Sequence, residues 1–401
     1  MVYKYLITIA AAVLAGLNAQ ASIVPTSAKN YSYLYFENGF PTPTTQTRVR
    51  YSQDEVNLEA LANPDLVFQT GYFSLVLDCD DVALKGYDAM VGTDYFSALN
   101  EDVTAFTPAT GFTLEVTQGG VVYTCTEGEV YGSEGSGPTL NSWHHVRLIE
   151  SGQYVKRIDH MGLVFRDAQG NELQVDDECR LEVNAWPDRI TFVLDFSRET
   201  TNPITHTKVQ VVSPNGVTHL AESASNKARL TLKPQEDAQL STLTSGDYVK
   251  QATNLQDSAA LPVVFDPDTH AFEIEVPADG VTYPSAANRV DEYLIEVSNP
   301  LASATNIPLR FIQPNPRAIT GTVMLLSDPD NGRPLGIPVQ ISKNWHGSSD
   351  NVHAGNWLHG STMLTLQPGE SRQIKLRVAY GYWGGAGTVS YAQLSLIGYG
   401  N

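Results

Sequence analysis

The sequence predicts an all-β protein of two, or at most three, antiparallel β-sandwich domains. Two observations lead to this prediction: apolar and polar residues alternate along many short segments, and Gly, Pro, Asn and Asp interrupt the chain at short intervals. Helical periodicity is scarce, with one short candidate over 53–61. Each sheet must bury its apolar face on another layer, which favours sandwiches and leaves barrels as the alternative.

Three segments show the alternation most clearly. Their apolar positions are Ile190, Phe192, Leu194 and Phe196; Phe272, Ile274 and Val276; and Ile374, Leu376 and Val378. A period of two residues places each set on one face of a strand, with polar residues on the other face. Turn-forming sequences at 168–171, 213–216, 277–280 and 328–332 separate such strands.

The first 21 residues have the features of a secretory signal peptide. Lys4 precedes an apolar run over 6–17, and small residues lead up to Ala21. The run is too short to span a bilayer as a helix. Cleavage after Ala21 would leave 401 − 21 = 380 residues, enough for two or three domains. We therefore expect a secreted protein, either extracellular or periplasmic.

Composition suggests where the mature chain divides. The polar stretch 197–203 follows a strong strand and predicts domains over 22–200 and 201–401, with a weaker break at 314–317. The last eight residues, 394–401, combine a strand pattern with a glycine-bearing turn. This abrupt ending suggests that the second region is truncated and that the chain is a fragment of a longer protein.

Two stretches carry a family resemblance. Residues 142–147, SWHHVR, resemble the Trp-His-x-Val strand of laminin-G and concanavalin-A-like sandwiches. Residues 293–300, YLIEVSNP, and 364–371, LTLQPGES, are similar to strands and turns of immunoglobulin-like modules in secreted bacterial proteins. The first resemblance implies a jelly-roll fold in which the tryptophan is a core residue. Both resemblances imply a fold and no particular activity.

The formal net charge of −19 disfavours nucleic acid and anionic membranes as partners. No run of more than two adjacent Lys or Arg residues provides a local exception. An acidic surface is compatible with a neutral glycan, a cationic ligand or Ca²⁺, and it also simply maintains solubility. We expect a glycan or a cell-surface component as partner.

The three cysteines permit one disulfide. Cys79 and Cys179 share the apolar parity of their strands, so both are expected to point inward, and we favour this pair over those that include Cys125. The alternative is buried thiols without a role. No Cys/His spacing indicates a zinc site.

Residues 344–383 hold three of the five tryptophans and three of the nine histidines. Flat aromatic faces with a polar edge suit the C–H faces of sugar rings. We therefore predict a glycan-binding surface formed by Trp345, Trp357, His359 and Trp383. In the alternative interpretation the tryptophans fill the core of a sandwich and the histidines bind loop carbonyls. A third interpretation is a metal site formed by His346, His353 and His359 with Asp350.

The sequence leaves open whether the chain is catalytic. No Gly-x-Ser-x-Gly elbow or phosphate-binding loop occurs, and the two carboxylates that a glycoside hydrolase needs cannot be chosen among 44 acidic residues. A polysaccharide lyase would need a His or Tyr base beside a basic group. For that reaction the candidates are His346, Tyr380, Tyr382 and Arg377.

Acidic turns at 78–81, 176–178 and 328–331 offer closely spaced carboxylates, as Ca²⁺ requires. The best candidates are Asp328 and Asp330. The alternative is ordinary solvated turns.

Together these features predict a secreted protein that engages carbohydrate and that, if it is an enzyme, is a polysaccharide lyase or glycoside hydrolase. The alternative is a non-catalytic structural or cell-surface interaction protein, acting as a spacer or in adhesion.

Overall fold

The computed structural model describes residues 32–37, 65–89, 109–128, 131–133, 142–144, 146–175, 180–277, 289–314, 321–343 and 357–381. Within these ranges the chain is nearly all β, which confirms the predicted fold class. The helical elements there are a 3-10 turn at Pro234–Glu236 and the short helix α1 at Ser245–Tyr248. The helix predicted over 53–61 lies outside the described residues. No helix in the described ranges is long and apolar enough to cross a membrane.

The strands of the first part of the chain are β1 (Ser32–Glu37), β2 (Asp65–Thr70), β3 (Phe73–Asp78), β4 (Ala83–Ala89), β5 (Gly111–Gln118), β6 (Val121–Gly128), β7 (Tyr131–Ser133), β8 (Ser142–His144), β9 (Val146–Ser151), β10 (Lys156–His160), β11 (Leu163–Arg166), β12 (Arg180–Trp186), β13 (Arg189–Asp195), β14 (Ile204–Val212), β15 (Thr218–Ser223), β16 (Lys227–Lys233) and β17 (Ala238–Leu240).

Those of the second part are β18 (Val249–Asn254), β19 (Val263–Asp266), β20 (Ala271–Glu275), β21 (Val290–Ser298), β22 (Thr305–Pro314), β23 (Gly321–Ser327), β24 (Gln340–Lys343), β25 (Trp357–Leu366) and β26 (Ser371–Gly381).

These strands form five sheets of four or more strands and the two-stranded ribbon β7-β8. With the strands of each sheet given in spatial order, the sheets are A (β1-β2-β3-β4), B (β11-β6-β5-β14-β15), C (β17-β16-β13-β12-β10-β9), D (β18-β21-β26-β23) and E (β19-β20-β22-β25-β24). The described pairs are antiparallel except β20 with β22, which run parallel because the chain passes through sheet D between them.

Sheets A, B and C enclose one continuous hydrophobic core, which we call the core of the first sandwich. The inward residues of β13 that the sequence predicted, Ile190, Phe192 and Leu194, are fully buried in it. Each such side chain contributes about 1.5–3 kcal/mol through burial. β14 pairs with β5, and β16 pairs with β13, across the polar stretch 197–203. The strands that pair within these sheets therefore continue as far as Leu240.

Sheets D and E form the second sandwich around a separate core. The alternation seen in the sequence again identifies its inward faces: Phe272, Ile274, Ile374, Leu376 and Val378 are all fully buried.

At the predicted turn over 213–216, between β14 and β15 of the first sandwich, Gly216 adopts a φ of 79°, a conformation that favours glycine.

The two sandwiches meet through the outer faces of sheets C and E. A small apolar cluster spans this contact and contains Tyr154, Val155 and Trp186 from the first sandwich, with Ala271 and Met363 from the second. The indole Nε1 of Trp186 also donates to the carbonyl of Thr269 at 2.7 Å. Sheet C is consequently covered on both faces, which is why all seven residues of β13 are buried.

Candidate functional site

The strand ends that flank the predicted aromatic surface converge at one end of the second sandwich. β24 ends at Lys343, which pairs with Leu358 next to the start of β25, and Trp357 pairs with Pro314 at the end of β22. In sheet D, Gly381 at the end of β26 pairs with Gly321 at the start of β23.

The connection from Pro314 to Gly321 shows that these strand ends, in sheets E and D, lie at the same end of the second sandwich. Seven residue steps reach at most about 25 Å, whereas the ten residues of β22 extend about 33 Å. At the opposite end, the side-chain amide of Asn299 donates to the carbonyls of Leu366 and Gln367 at 3.2 and 3.0 Å. The strand ends at Lys343, Trp357 and Gly381 therefore lie at one common end, which we call the aromatic end.

Several predicted site residues cannot be placed. Trp345, His346, Tyr382 and Trp383 lie outside the described residues, as do His353 and Asp350. Trp357 is the first residue of β25, where only its backbone is described. Their grouping as a ligand surface therefore stays a prediction.

Tyr380 does not have the environment of a catalytic base. It is 1% exposed, and its hydroxyl donates to Asp291 Oδ2 at 2.8 Å. Burial, followed by the neighbouring Tyr293 and Asp291, raises the pKa of Tyr380 far above its ordinary value. The hydroxyl is thus held protonated inside the second sandwich, which argues against the role proposed from sequence.

Arg377 is likewise engaged elsewhere. Its Nε donates to Glu292 Oε1 at 3.0 Å across the β21–β26 pair. Since both side chains are partly exposed, this is an ordinary ion pair between neighbouring strands of sheet D.

His359 points toward the junction between the sandwiches. Its Nδ1 accepts a hydrogen bond from Arg310 and lies 3.7 Å from Glu150 Oε1. Burial, reinforced by the positive charge of Arg310, lowers the pKa of His359 to about 4. A neutral histidine that serves as acceptor for a guanidinium is a structural partner, so this placement argues against His359 as a ligand contact.

The contacts of His359 belong to a buried charge cluster that crosses the junction. Glu150 Oε1 accepts from Arg157 Nη1 at 2.9 Å and from Arg310 Nη2 at 2.6 Å. Arg157 also reaches Glu182 at 2.9 Å, and Arg310 reaches Glu273 at 3.3 Å. Glu150, Glu182 and Arg310 are each at most 1% exposed. Burial alone would raise the pKa of Glu150, but Arg310, His359 and Arg157 hold it well below its usual range.

Gln340 joins the sandwiches beside this cluster. Its Oε1 accepts from the backbone N–H groups of Tyr154 and Val155 at 2.7 and 2.9 Å, and its Nε2 donates to the Val155 carbonyl at 3.1 Å. All three bonds lie in the buried interface, where an unpaired amide would cost about 1–3 kcal/mol.

Gly152 provides the space that this glutamine occupies. A Cβ at position 152 would lie 2.0 Å from Cδ of Gln340. We expect Gly152→Ala to lower the free energy of unfolding by about 1–3 kcal/mol, because the glutamine must leave its three hydrogen bonds. Gly246→Ala is the control, since nothing lies within 4 Å of its added Cβ. Equal denaturation midpoints for the two variants in urea would contradict this account of the junction.

A second feature of the junction is a cleft of about 170 Å³. It is lined by Tyr72, Asp188, Lys233, Gln235 and Glu236 of the first sandwich and by Ala304, Thr305, Asn306 and Thr365 of the second. Among these lining residues, Asn306 Nδ2 donates to Asp188 Oδ2 at 3.0 Å, and Asn306 Oδ1 accepts from Thr365 Oγ1 at 2.7 Å.

Asp188 is buried in the wall of this cleft, at 5% exposure. Arg189 holds it through Nε at 2.8 Å and Nη2 at 3.0 Å. Burial would raise the pKa of Asp188, but Arg189 keeps it below its ordinary value. Sequence reasoning overlooked this site. The one sequence feature that could have indicated it is the pair of adjacent, oppositely charged residues Asp188 and Arg189, which lies between two strongly apolar strands.

The candidate metal ligands lie in an ordinary turn. Asp328 Oδ1 accepts from the backbone N–H groups of Asp330 and Asn331 at 2.8 and 3.3 Å, as a turn-initiating aspartate does. Within the described residues no group of three or more His, Cys, Asp or Glu side chains is arranged to hold a metal ion. Binding of Ca²⁺ by Asp328 and Asp330 remains a prediction.

The disulfide prediction also remains open. Cys79 is fully buried, as its parity predicted, whereas Cys179 lies outside the described residues. Burial raises the pKa of the Cys125 thiol to about 12, so that thiol is unreactive at neutral pH.

Comparison with known proteins identifies no family. No protein-family model matches the sequence, and no curated protein matches it either. Among solved structures, a provisionally assigned aldose 1-epimerase from Escherichia coli is 8% identical, covers 78% of this chain and 97% of its own, and has a TM-score of 0.17. A similarly assigned protein from Klebsiella pneumoniae is 9% identical, with coverages of 84% and 83% and a TM-score of 0.17.

A third similar structure, 4-alpha-glucanotransferase from Thermococcus litoralis, is 5% identical over 82% of this chain and 40% of its own, with a TM-score of 0.15. At such scores these similarities do not establish a shared fold, and they carry no information about the function of this chain.

Proposed function

We propose that this protein is a secreted carbohydrate-binding protein that contacts extracellular or periplasmic glycan through the aromatic end of the second sandwich. The observation that carries the proposal is the convergence of strand ends. β24 ends, β25 begins and β26 ends at one end of the second sandwich, so Lys343, Trp357 and Gly381, which adjoin the predicted aromatic residues in sequence, share that end. The signal-peptide pattern supports export.

The aromatic side chains predicted for this surface would suit sugar rings. Trp345, Trp357 and Trp383 would supply apolar faces for C–H groups, and neighbouring polar groups would bind hydroxyls. The net charge of −19 favours a neutral glycan over a polyanionic one. His359 is left out of this surface because it is bound to Arg310 in the junction.

A catalytic version of the proposal, as a polysaccharide lyase or glycoside hydrolase, has less support. Tyr380 is bound to Asp291, and Arg377 is bound to Glu292. His346 and Tyr382 would then have to supply the base. We therefore propose binding without a reaction.

A glycan array probed with the purified protein tests this function. We expect binding to neutral oligosaccharides, weakened about 5- to 10-fold by each of Trp345→Ala, Trp357→Ala and Trp383→Ala through loss of a stacking face. Trp143→Ala, a tryptophan of β8 in the first part of the chain, is the matched control and should bind as the wild type does. A wild-type protein that binds no glycan, or tryptophan variants that bind normally while melting normally, would refute the proposal.

A second candidate function is a structural or cell-surface interaction protein that acts as a spacer. The observation that favours it is the junction, where buried ion pairs and Gln340 fix one sandwich against the other. A spacer would show no glycan binding on the same array, together with a single rigid shape in small-angle X-ray scattering.

A further inference from the structure

We infer that the cleft at Asp188 and Asn306 is a separate binding site for a single neutral sugar ring. This inference goes beyond the proposed function because the cleft lies far from the aromatic end. Asn306 and Pro314 stand near opposite ends of β22, eight residues and about 26 Å apart. One ring bound at each site would not touch the other.

The cleft is built by both sandwiches around a rigid centre. Asn306 is held by three bonds: its amide donates to Asp188, its Oδ1 accepts from Thr365, and its backbone carbonyl accepts from Arg189 Nη2 at 2.9 Å. Tyr72 Oη lies 3.4 Å from Asn306 Nδ2. Polar groups that are fixed before a ligand arrives lose little entropy on binding, which favours a specific site.

The remaining hydrogen-bonding capacity of the lining suits hydroxyl groups. Asp188 Oδ1 receives one donor, Arg189 Nε, and a carboxylate oxygen has room for a second. Lys233 Nζ pairs with Glu236 at 3.0 Å and has further N–H groups to donate. A polyol, whose hydroxyls donate and accept alternately, matches this mixture.

The charges of the cleft argue against ionic ligands. Asp188 is neutralised by Arg189, and Lys233 is neutralised by Glu236. An anion would meet two carboxylates, and a divalent cation would find one of those carboxylates already bound by a guanidinium. The site as a whole is therefore close to neutral and favours a neutral molecule.

The size of the cleft limits the ligand to one ring. Its volume of about 170 Å³ is below the range of roughly 300 Å³ and more that is typical of sites for drug-sized ligands. Ala304 provides an apolar wall, and Tyr72 adds an aromatic one, against which the C–H face of a ring can pack. A monosaccharide or the terminal unit of a glycan meets these conditions.

Ala304→Leu tests the inference by filling the cleft without removing any hydrogen-bonding group. Ala302→Leu is the matched control, since Ala302 is an exposed alanine of the same loop that does not line the cleft. Binding is measured by saturation-transfer NMR with glucose, galactose, mannose, fucose and N-acetylglucosamine as separate probes. We expect the wild type and Ala302→Leu to bind at least one probe equally, and Ala304→Leu to bind it at least about 10-fold more weakly.

Two results would overturn the inference: no probe binds the wild type, or Ala304→Leu binds as tightly as Ala302→Leu. The glycan array separates this inference from the proposed function. If Ala304→Leu loses monosaccharide binding and keeps array binding, the two sites are independent and both ideas stand. If Ala304→Leu also abolishes array binding while the three tryptophan variants do not, the cleft is the glycan site and the aromatic end is not.

Discussion

Arg310→Met is expected to lower the free energy of unfolding by about 3–5 kcal/mol, because it leaves Glu150 buried with half of its positive partners removed. The native cluster holds the carboxylates of Glu150, Glu182 and Glu273 around the guanidiniums of Arg157 and Arg310, and Glu182 also lies 3.6 Å from Arg180 Nη2. Methionine keeps most of the side-chain volume of arginine, so the loss comes from charge and hydrogen bonding rather than from a cavity. The measurement is the midpoint and slope of urea unfolding.

Arg166→Met is the matched control for this substitution. Arg166 pairs with Glu127 at 2.6 Å on the first sandwich, but both side chains are at least one-third exposed. A pair in that environment contributes about 0–1 kcal/mol, so Arg166→Met should lie within that range. Similar losses for Arg310→Met and Arg166→Met would show that the cluster is solvated rather than buried.

A second substitution separates charge from packing. Adding Glu150→Gln to Arg310→Met removes the carboxylate that was left without its partner, and the double variant should recover part of the lost stability. A double variant that is less stable than Arg310→Met by the full effect of Glu150→Gln alone would mean that the two side chains do not interact energetically.

The pattern of alternation predicted the inward faces of the strands well, because apolar burial depends on local periodicity. Phe192, Phe272 and Leu376 lie in the cores that their parity indicated. The same periodicity does not show that a further layer covers the outward face of sheet C. Thr191, Val193 and Asp195, on that face of β13, are buried as well.

The junction escaped prediction because its residues are polar. Glu150, Arg157, Glu182 and Arg310 look like surface positions of half-buried strands, and no sequence pattern distinguishes a charge that faces water from one that faces an opposite charge on another strand. Glu150 and Arg310 are 160 residues apart in sequence. For the same reason the polar stretch near residue 200 does not reveal that β14 to β17 join the sheets of the first sandwich.

Clustering of aromatic residues at 344–383 indicated a candidate region, and its grouping as a ligand surface stays a prediction. The cleft is assembled from five separate segments, among them Tyr72, Asp188 and Asn306, and none of them carries a motif. A site of this kind becomes visible only when both sandwiches are in place.

The stability of the junction is expected to decrease as the pH falls from about 6.5 to about 4. Two histidines lie there beside arginines: His359 Nδ1 accepts from Arg310, and Arg189 Nη1 lies 3.2 Å from His270 Nδ1. Burial, and after it the adjacent guanidinium, lowers the pKa of each histidine from 6.5 to about 4. Protonation would remove the acceptor nitrogen and place two positive charges in contact.

The direction follows from proton uptake. Between pH 6.5 and 4 the unfolded chain binds a proton at each histidine that the folded protein excludes, so the free energy of unfolding falls with pH. Each histidine can lower the free energy of unfolding by roughly 2–3 kcal/mol as the pH falls across this interval, and it has no such effect at higher pH. Two groups oppose the trend: burial raises the pKa of Asp80 to about 6, and burial also raises the pKa of Glu273. Those carboxyls bind protons more readily in the folded state.

Replacing both histidines by asparagine isolates their share of the pH dependence. The Asn side-chain oxygen can take the place of Nδ1 as acceptor, and Asn tolerates the φ of 52° at position 270. Urea unfolding of wild type and of the His270→Asn/His359→Asn double variant at a series of pH values is the measurement. The wild type should lose clearly more stability between pH 6.5 and 4 than the double variant does, because the carboxyls with shifted pKa values, among them Asp80, Glu150 and Glu273, remain in both proteins. Parallel curves for the two proteins would place the origin of any acid sensitivity outside the junction histidines.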